Sequence, residues 1–89
     1  MYNEAYQAAY ISTATTTQVK TGAGVLHAIV VGETAAGAIS VIDNTTGSTV
    51  NIGQLKASIV EGTYVFNTAF SAGLRIITAG ASKITVVYR

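Results

Sequence analysis

The chain contains no cysteine, so no disulfide can staple it, and its single histidine, His27, stands among only four scattered acidic residues. That inventory leaves no ligand set for a structural zinc, which takes four Cys or His side chains at short spacings. A chain without thiols is also indifferent to the redox state of its compartment. Charge is nearly as scarce: Asp, Glu, Lys and Arg make up 10% of the residues, against roughly 25% in an ordinary soluble domain. The basic residues Lys20, Lys56, Arg75, Lys83 and Arg89 are spread along the chain, and the formal net charge is +1. Nothing here makes the basic stripe that nucleic acid needs. The apolar runs are too short to span a bilayer as helices, and the N-terminus lacks the basic-then-apolar order of a signal peptide. The expectation is a protein made in the cytoplasm, with neither membrane nor nucleic acid as partner.

What the sequence does hold is apolar. Hydrophobic residues account for 49% of 89 residues, and a single domain of this size buries only about 60–65% of the surface its unfolded chain exposes. Its own margin of stability is thin, and much of its surface must be Thr, Ser, Ala and Gly. Such a surface is poorly protected against sticking to neighbours. Association with other chains, first of all as a homo-oligomer, is expected to supply both cover and stability.

From about residue 16 onward the chain is rich in Val, Ile and Thr, interrupted at short intervals by small-residue clusters with Gly. The clusters are Gly22-Ala23-Gly24, Thr34-Ala35-Ala36-Gly37, Asp43-Asn44-Thr45-Thr46-Gly47, Glu61-Gly62, Ser71-Ala72-Gly73 and Ala79-Gly80-Ala81-Ser82. Between them lie strands at 16–21, 25–32, 38–43, 48–59, 63–70, 74–78 and 83–88. Many short strands with tight turns predict an all-β fold, a small β-sandwich or jelly-roll-like domain over residues 16–89, because a single open sheet would leave one apolar face wet. The segments 38–43 and 63–70 alternate as half-buried strands do, with Ile39 and Val41 against Ser40, and Tyr64, Phe66 and Phe70 against Thr63 and Asn67.

Two segments do not alternate. Val25-Leu26-His27-Ala28-Ile29-Val30-Val31 and Ile84-Thr85-Val86-Val87-Tyr88 carry apolar residues on both faces, the mark of strands covered on both sides. In so small a domain a partner chain is the expected cover for the second face. His27, Ile29 and Val31 in the first segment, and Val87 with the terminal Arg89 in the second, are the candidate interface residues. Residues 1–15 read as an N-terminal arm, with Tyr2, Tyr6 and Tyr10 four apart and alanines between them. That spacing puts the three tyrosines on one face of a helix, and equally on one face of an extended strand. They complete the candidate interface, since rigid amphipathic rings are what protein interfaces use as anchors. On this reading the arm attaches and the β domain assembles, so removal of residues 1–14 is expected to leave the domain folded.

Chemistry finds little to work with. His27 could serve as a base or a metal ligand only with partners, and neither a Cys nor a second His is present. Ser40 or Ser58 beside it would still lack a Gly-x-Ser-x-Gly elbow, and Gly73 and Gly80 precede no predicted helix that would bind phosphate. His27 is therefore read as structural, and the protein as a non-enzyme without metal or cofactor. Asp43-Asn44-Thr45-Thr46-Gly47 contains oxygens that suit calcium and a glycosylation sequon, but Asp and Asn also close tight turns by bonding their own backbone. The turn is the reading adopted.

Thr17-Gln18-Val19-Lys20-Thr21-Gly22-Ala23-Gly24-Val25-Leu26-His27, Val41-Ile42-Asp43-Asn44-Thr45, Ala69-Phe70-Ser71-Ala72-Gly73-Leu74 and the ending Ala81-Ser82-Lys83-Ile84-Thr85-Val86-Val87-Tyr88-Arg89 resemble a group of small proteins encoded among the virion genes of tailed bacteriophages. The likeness spans residues 17–89 and leaves out the tyrosine arm. It implies a virion structural component, foremost a capsid decoration (cement) protein that self-associates and binds the major capsid protein or another virion protein. The alternative is a tail- or fibre-associated β module that binds host carbohydrate. Carbohydrate sites gather aromatic and acidic side chains in loops, whereas the loops here are Gly, Ala, Ser and Thr.

Overall fold

The computed structural model describes residues 6–89, and their regular structure is entirely strand: β1 (Gln7–Ile11), β2 (Thr16–Thr21), β3 (Gly24–Glu33), β4 (Ile39–Asp43), β5 (Gly53–Leu55), β6 (Gly62–Phe70), β7 (Gly73–Thr78) and β8 (Lys83–Tyr88). They form two four-stranded antiparallel sheets in the orders β1-β8-β3-β6 and β2-β7-β4-β5. Every connection except β4 to β5 crosses from one sheet to the other. The result is the eight-strand jelly-roll order, a β-sandwich.

The predicted strands reappear with small changes at their ends, save one. The segment 48–59 contracts to the three residues of β5, because Asn44 to Ile52 form a loop in front of it. The N-terminal segment also needs correction. The sandwich begins at Gln7 rather than at residue 16, since β1 pairs along its whole length with β8, from Gln7 opposite Tyr88 to Ile11 opposite Ile84. The alanine and tyrosine spacing left helix and strand open; a partner strand decides between them, because β8 offers a ladder that an isolated helix of this length lacks. Removing residues 1–14 would therefore strip an edge strand from the sheet, contrary to the expectation from sequence. Tyr2 lies outside the described residues.

The core forms where the two sheets face each other. Leu26, Ile29, Val31, Phe70, Ile84 and Val86 come from one sheet, and Ile39, Val41, Leu55, Leu74 and Ile76 from the other, with Ile11 completing the layer from β1. These are the inward positions of alternating strands, and β-branched side chains suit the pleated surface.

One end of the sandwich is tied together by a carboxylate. Asp43, at the end of β4, accepts hydrogen bonds from the backbone N–H of Ser71 at 3.0 Å, Ala72 at 2.9 Å and Gly73 at 3.3 Å. It thus clamps the turn between β6 and β7. Gly22 N–H donates to the Ala72 carbonyl at 2.9 Å, and Asn44 N–H to the Gly73 carbonyl at 3.1 Å, so three turns from both sheets converge here. The glycines of the Thr21-Gly22-Ala23-Gly24 turn have separate reasons. Gly22 takes a φ of 94°, a left-handed conformation that penalises any side chain. Gly24 lies so close to the Arg89 carbonyl and the Phe70 ring that a Cβ would collide with both. Asp43 is therefore not a free calcium ligand, and the turn reading of its segment becomes a longer loop that closes the β4–β5 pair.

Two predictions follow from this architecture. Ile11→Ala should cost about 2–5 kcal/mol of stability in urea denaturation, as a large-to-small change in a core does; an unchanged midpoint would show that β1 lies outside the cooperative unit. The backbone donors of Ser71 and Ala72 hold the Asp43 carboxyl below the usual carboxylate range, against a smaller opposing effect of desolvation. A depressed pKa in the folded state means stabilisation that is complete above the ordinary carboxylate range and lost as pH falls through the lowered value. Asp43→Asn should be less stable at neutral pH and lose part of the acid dependence. Denaturation midpoints taken from about pH 6 to about pH 2 test this, and parallel curves for the two proteins would refute it.

Candidate interaction surface

The outward faces of the two sheets differ in kind. On the β2-β7-β4-β5 sheet, Arg75 donates from Nε to the Gly47 carbonyl at 2.9 Å and from Nη1 to Gln18 Oε1 at 3.0 Å, while Gln18 Nε2 donates to the Asn44 carbonyl at 2.9 Å. These bonds hold the 44–47 loop against the sheet. Ile42, opposite Arg75 in register, is buried although it does not belong to the core between the sheets. The chain covers this face with its own loop and polar side chains.

On the β1-β8-β3-β6 sheet no hydrogen bond among the described residues holds a loop across the outer face, although Ala28 at its middle is buried by its neighbours and Val30, Thr85 and Val87 are half-buried. Its outward positions, read from the registers, are Ala8 and Tyr10 on β1, Thr85 and Val87 on β8, Ala28 and Val30 on β3, and Thr63 and Val65 on β6. Tyr10 is 65% exposed and Val65 62%. The charged groups of this face sit at its ends. Lys83 forms an ion pair with Glu33 at 3.2 Å, which raises the pKa of the ammonium, and Arg89 lies over the Tyr6 ring at 5.2 Å.

A register slip in β3 decides which side chains reach that face. From Leu26 to Ala28, β3 advances two residues while β8 passes one, Tyr88 to Val87, and β6 passes three, Thr68 to Val65. His27 and Asn67 occupy the slip. Asn67 adopts a φ of 48°, the left-handed conformation that Asn tolerates better than most residues, and the His27 Nδ1–H donates to Asn67 Oδ1 at 2.8 Å. The His27 ring stacks on Tyr6, with centroids 4.5 Å apart and planes 23° from parallel. β-Bulges re-aim side chains in this way.

The slip corrects part of the sequence reading. His27, Ile29 and Val31 share a parity and would share a face in an unbroken strand, yet Ile29 and Val31 are fully buried in the core and cannot be interface residues. The bulge reverses the alternation after His27, so that Ala28 and Val30 point outward instead. Tyr6, His27 and Arg89 are brought into one cluster, and Tyr10 and Val87 lie on the same sheet face. Sequence reasoning missed Asn67 and Val65. The Asn in an otherwise apolar, aromatic strand was the available signal, since Asn is enriched where a backbone must turn left-handed.

The geometry at Asn67 is testable. Asn67→Ala should lose about 1–2 kcal/mol, because a Cβ without a compensating side-chain bond is strained at positive φ. Asn67→Gly should be close to neutral, the relief of that strain offsetting the lost bond to His27. Equal effects of the two substitutions in chemical denaturation would show that the bulge conformation is not the deciding constraint. Comparison with known protein families, with curated proteins and with solved structures finds no match, so the reading of this surface rests on its own geometry.

Proposed function

We propose that this protein is a structural component of a bacteriophage particle, a capsid decoration protein that self-associates and attaches to the major capsid protein or another virion protein. The observation that carries the reading is the outward face of the β1-β8-β3-β6 sheet, apolar across its middle and charged only at its ends. The opposite sheet is closed by the chain's own loop. An apolar sheet face of this kind is stabilised when another protein covers it. The jelly-roll frame supports the reading, being common to viral capsid and lectin domains, and so does the resemblance to phage virion proteins. In this role the chain needs no catalysis and no cofactor. The carbohydrate-binding alternative gains nothing from Tyr6, whose ring is already engaged by His27 and Arg89.

Two measurements test the proposal. In sedimentation at micromolar concentration the isolated protein should run as an oligomer, and a stable monomer would count against self-assembly. Quantitative mass spectrometry of purified particles should find hundreds of copies; a handful would move the protein to the tail, and none would remove it from the virion.

A further inference from the structure

We infer that the protein assembles head to tail, with the free edge of β6 in one copy adding the free edge of β1 from the next copy as an antiparallel strand. The inference rests on the self-assembly proposed above and names the surface that performs it. β1 and β6 are the two edge strands of the β1-β8-β3-β6 sheet, and among the described residues no strand pairs with the outer edge of either. An edge strand presents unpaired N–H and C=O groups, and proteins that remain single blunt such edges with charge or proline. Neither strand carries either: β1 reads Gln-Ala-Ala-Tyr-Ile and β6 reads Gly-Thr-Tyr-Val-Phe-Asn-Thr-Ala-Phe. The one blunting device present is the bulge at Asn67. It leaves residues 62–66 ahead of it as a straight segment, equal in length to β1.

Exposed apolar side chains gather at the same two edges. Among the described residues the large exposed hydrophobics are Tyr6 and Tyr10 at the β1 side, Val60 and Val65 at the β6 side, and Val50 in the loop that leads into β5. β5 lies beneath β6, since the Phe66 ring sits 3.3 Å from where a Gly53 Cβ would be. Two different apolar edges on opposite sides of one molecule match a heterologous contact, in which unlike surfaces meet and repeated copies form a ring where the rotation closes and an open filament where it does not.

Strand direction agrees. β1 is antiparallel to β8, β8 to β3 and β3 to β6, so β1 and β6 run in opposite senses. A second copy related by rotation about an axis along the strands therefore presents its β1 antiparallel to β6. A register that keeps inward residues inward sets Ala9 opposite Tyr64, both already packed on the core, Ala8 opposite Val65 and Tyr10 opposite Thr63. The occupant of the β6 edge is thus a second copy of this chain, joined by main-chain bonds and by Tyr10 and Val65 on the outer side.

The absence of cysteine in the chain makes site-specific cross-linking a clean test. Ala8→Cys and Val65→Cys each alter an exposed, outward side chain, and circular dichroism checks that each variant folds. Under mild oxidation neither variant alone should form covalent dimers. The two co-expressed should form a mixed dimer, and the double variant a ladder of covalent oligomers. Self-linking of Val65→Cys alone would overturn the inference in favour of a two-fold β6 contact. A mixture that sediments as an oligomer but does not cross-link would overturn it while leaving self-assembly intact. A monomer in every case would overturn both. Thr63→Lys, which places a charge on the β6 edge, should shift the sedimenting species from oligomer to monomer, and an unshifted oligomer would count against the edge.

Discussion

The extra residue in β3 is the constraint on which the surface of this protein depends. β3 lies in the interior of its sheet, bonded to β8 on one side and β6 on the other, and its sequence is apolar almost throughout. Side-chain period is two in a strand, so one added residue exchanges the faces of everything beyond it. Before the slip Leu26 points into the core; after it Ile29 and Val31 do, while Ala28 and Val30 turn to the opposite face, where Ala28 is still buried and Val30 half-buried. The slip is held by a side-chain bond between His27 and Asn67, and by the Tyr6 ring stacked on His27. The contacts of His27 hold the strand that separates core from surface.

The opposite sheet is governed by a different device, the Asp43 carboxylate. It receives the backbone donors of the β6–β7 turn, and the neighbouring turns bond to one another around it. Three segments distant in sequence meet at this end: the Thr21-Gly22-Ala23-Gly24 turn, Asp43-Asn44, and Ser71-Ala72-Gly73-Leu74. Their residue types follow from geometry. A glycine is required at φ 94° at position 22, a close backbone approach excludes a side chain at position 24, and a carboxylate satisfies N–H groups that would otherwise end in a turn without partners. The motif is therefore one of folding, and by itself assigns no activity.

A domain of this size has little apolar area to spare, which gives the asymmetry between its faces its meaning. One sheet covers its outer side with a loop that Arg75 and Gln18 pin down. The other leaves Tyr10 and Val65 exposed on edges that carry no charge. A chain that binds copies of itself through such a sheet gains stability by mass action, because the assembled form is removed from the folding equilibrium.

By itself the sequence determined the class of fold and most of its strands, because β-branched runs between glycine-rich turns have local causes: steric preference in the strand and positive φ in the turn. It also showed that β3 and β8 are apolar on two sides. What it could not determine were the relations between distant segments. Whether residues 7–11 are helix or strand depended on the presence of β8 more than seventy positions away, since the tyrosine spacing satisfies both periods. The side to which Ile29 and Val31 point depended on a slip shared by three strands, and the role of Asp43 on a turn 28 residues away. Only the tertiary structure decided these, because each is a hydrogen-bonded pairing between segments, and periodicity within one segment holds no record of its partner.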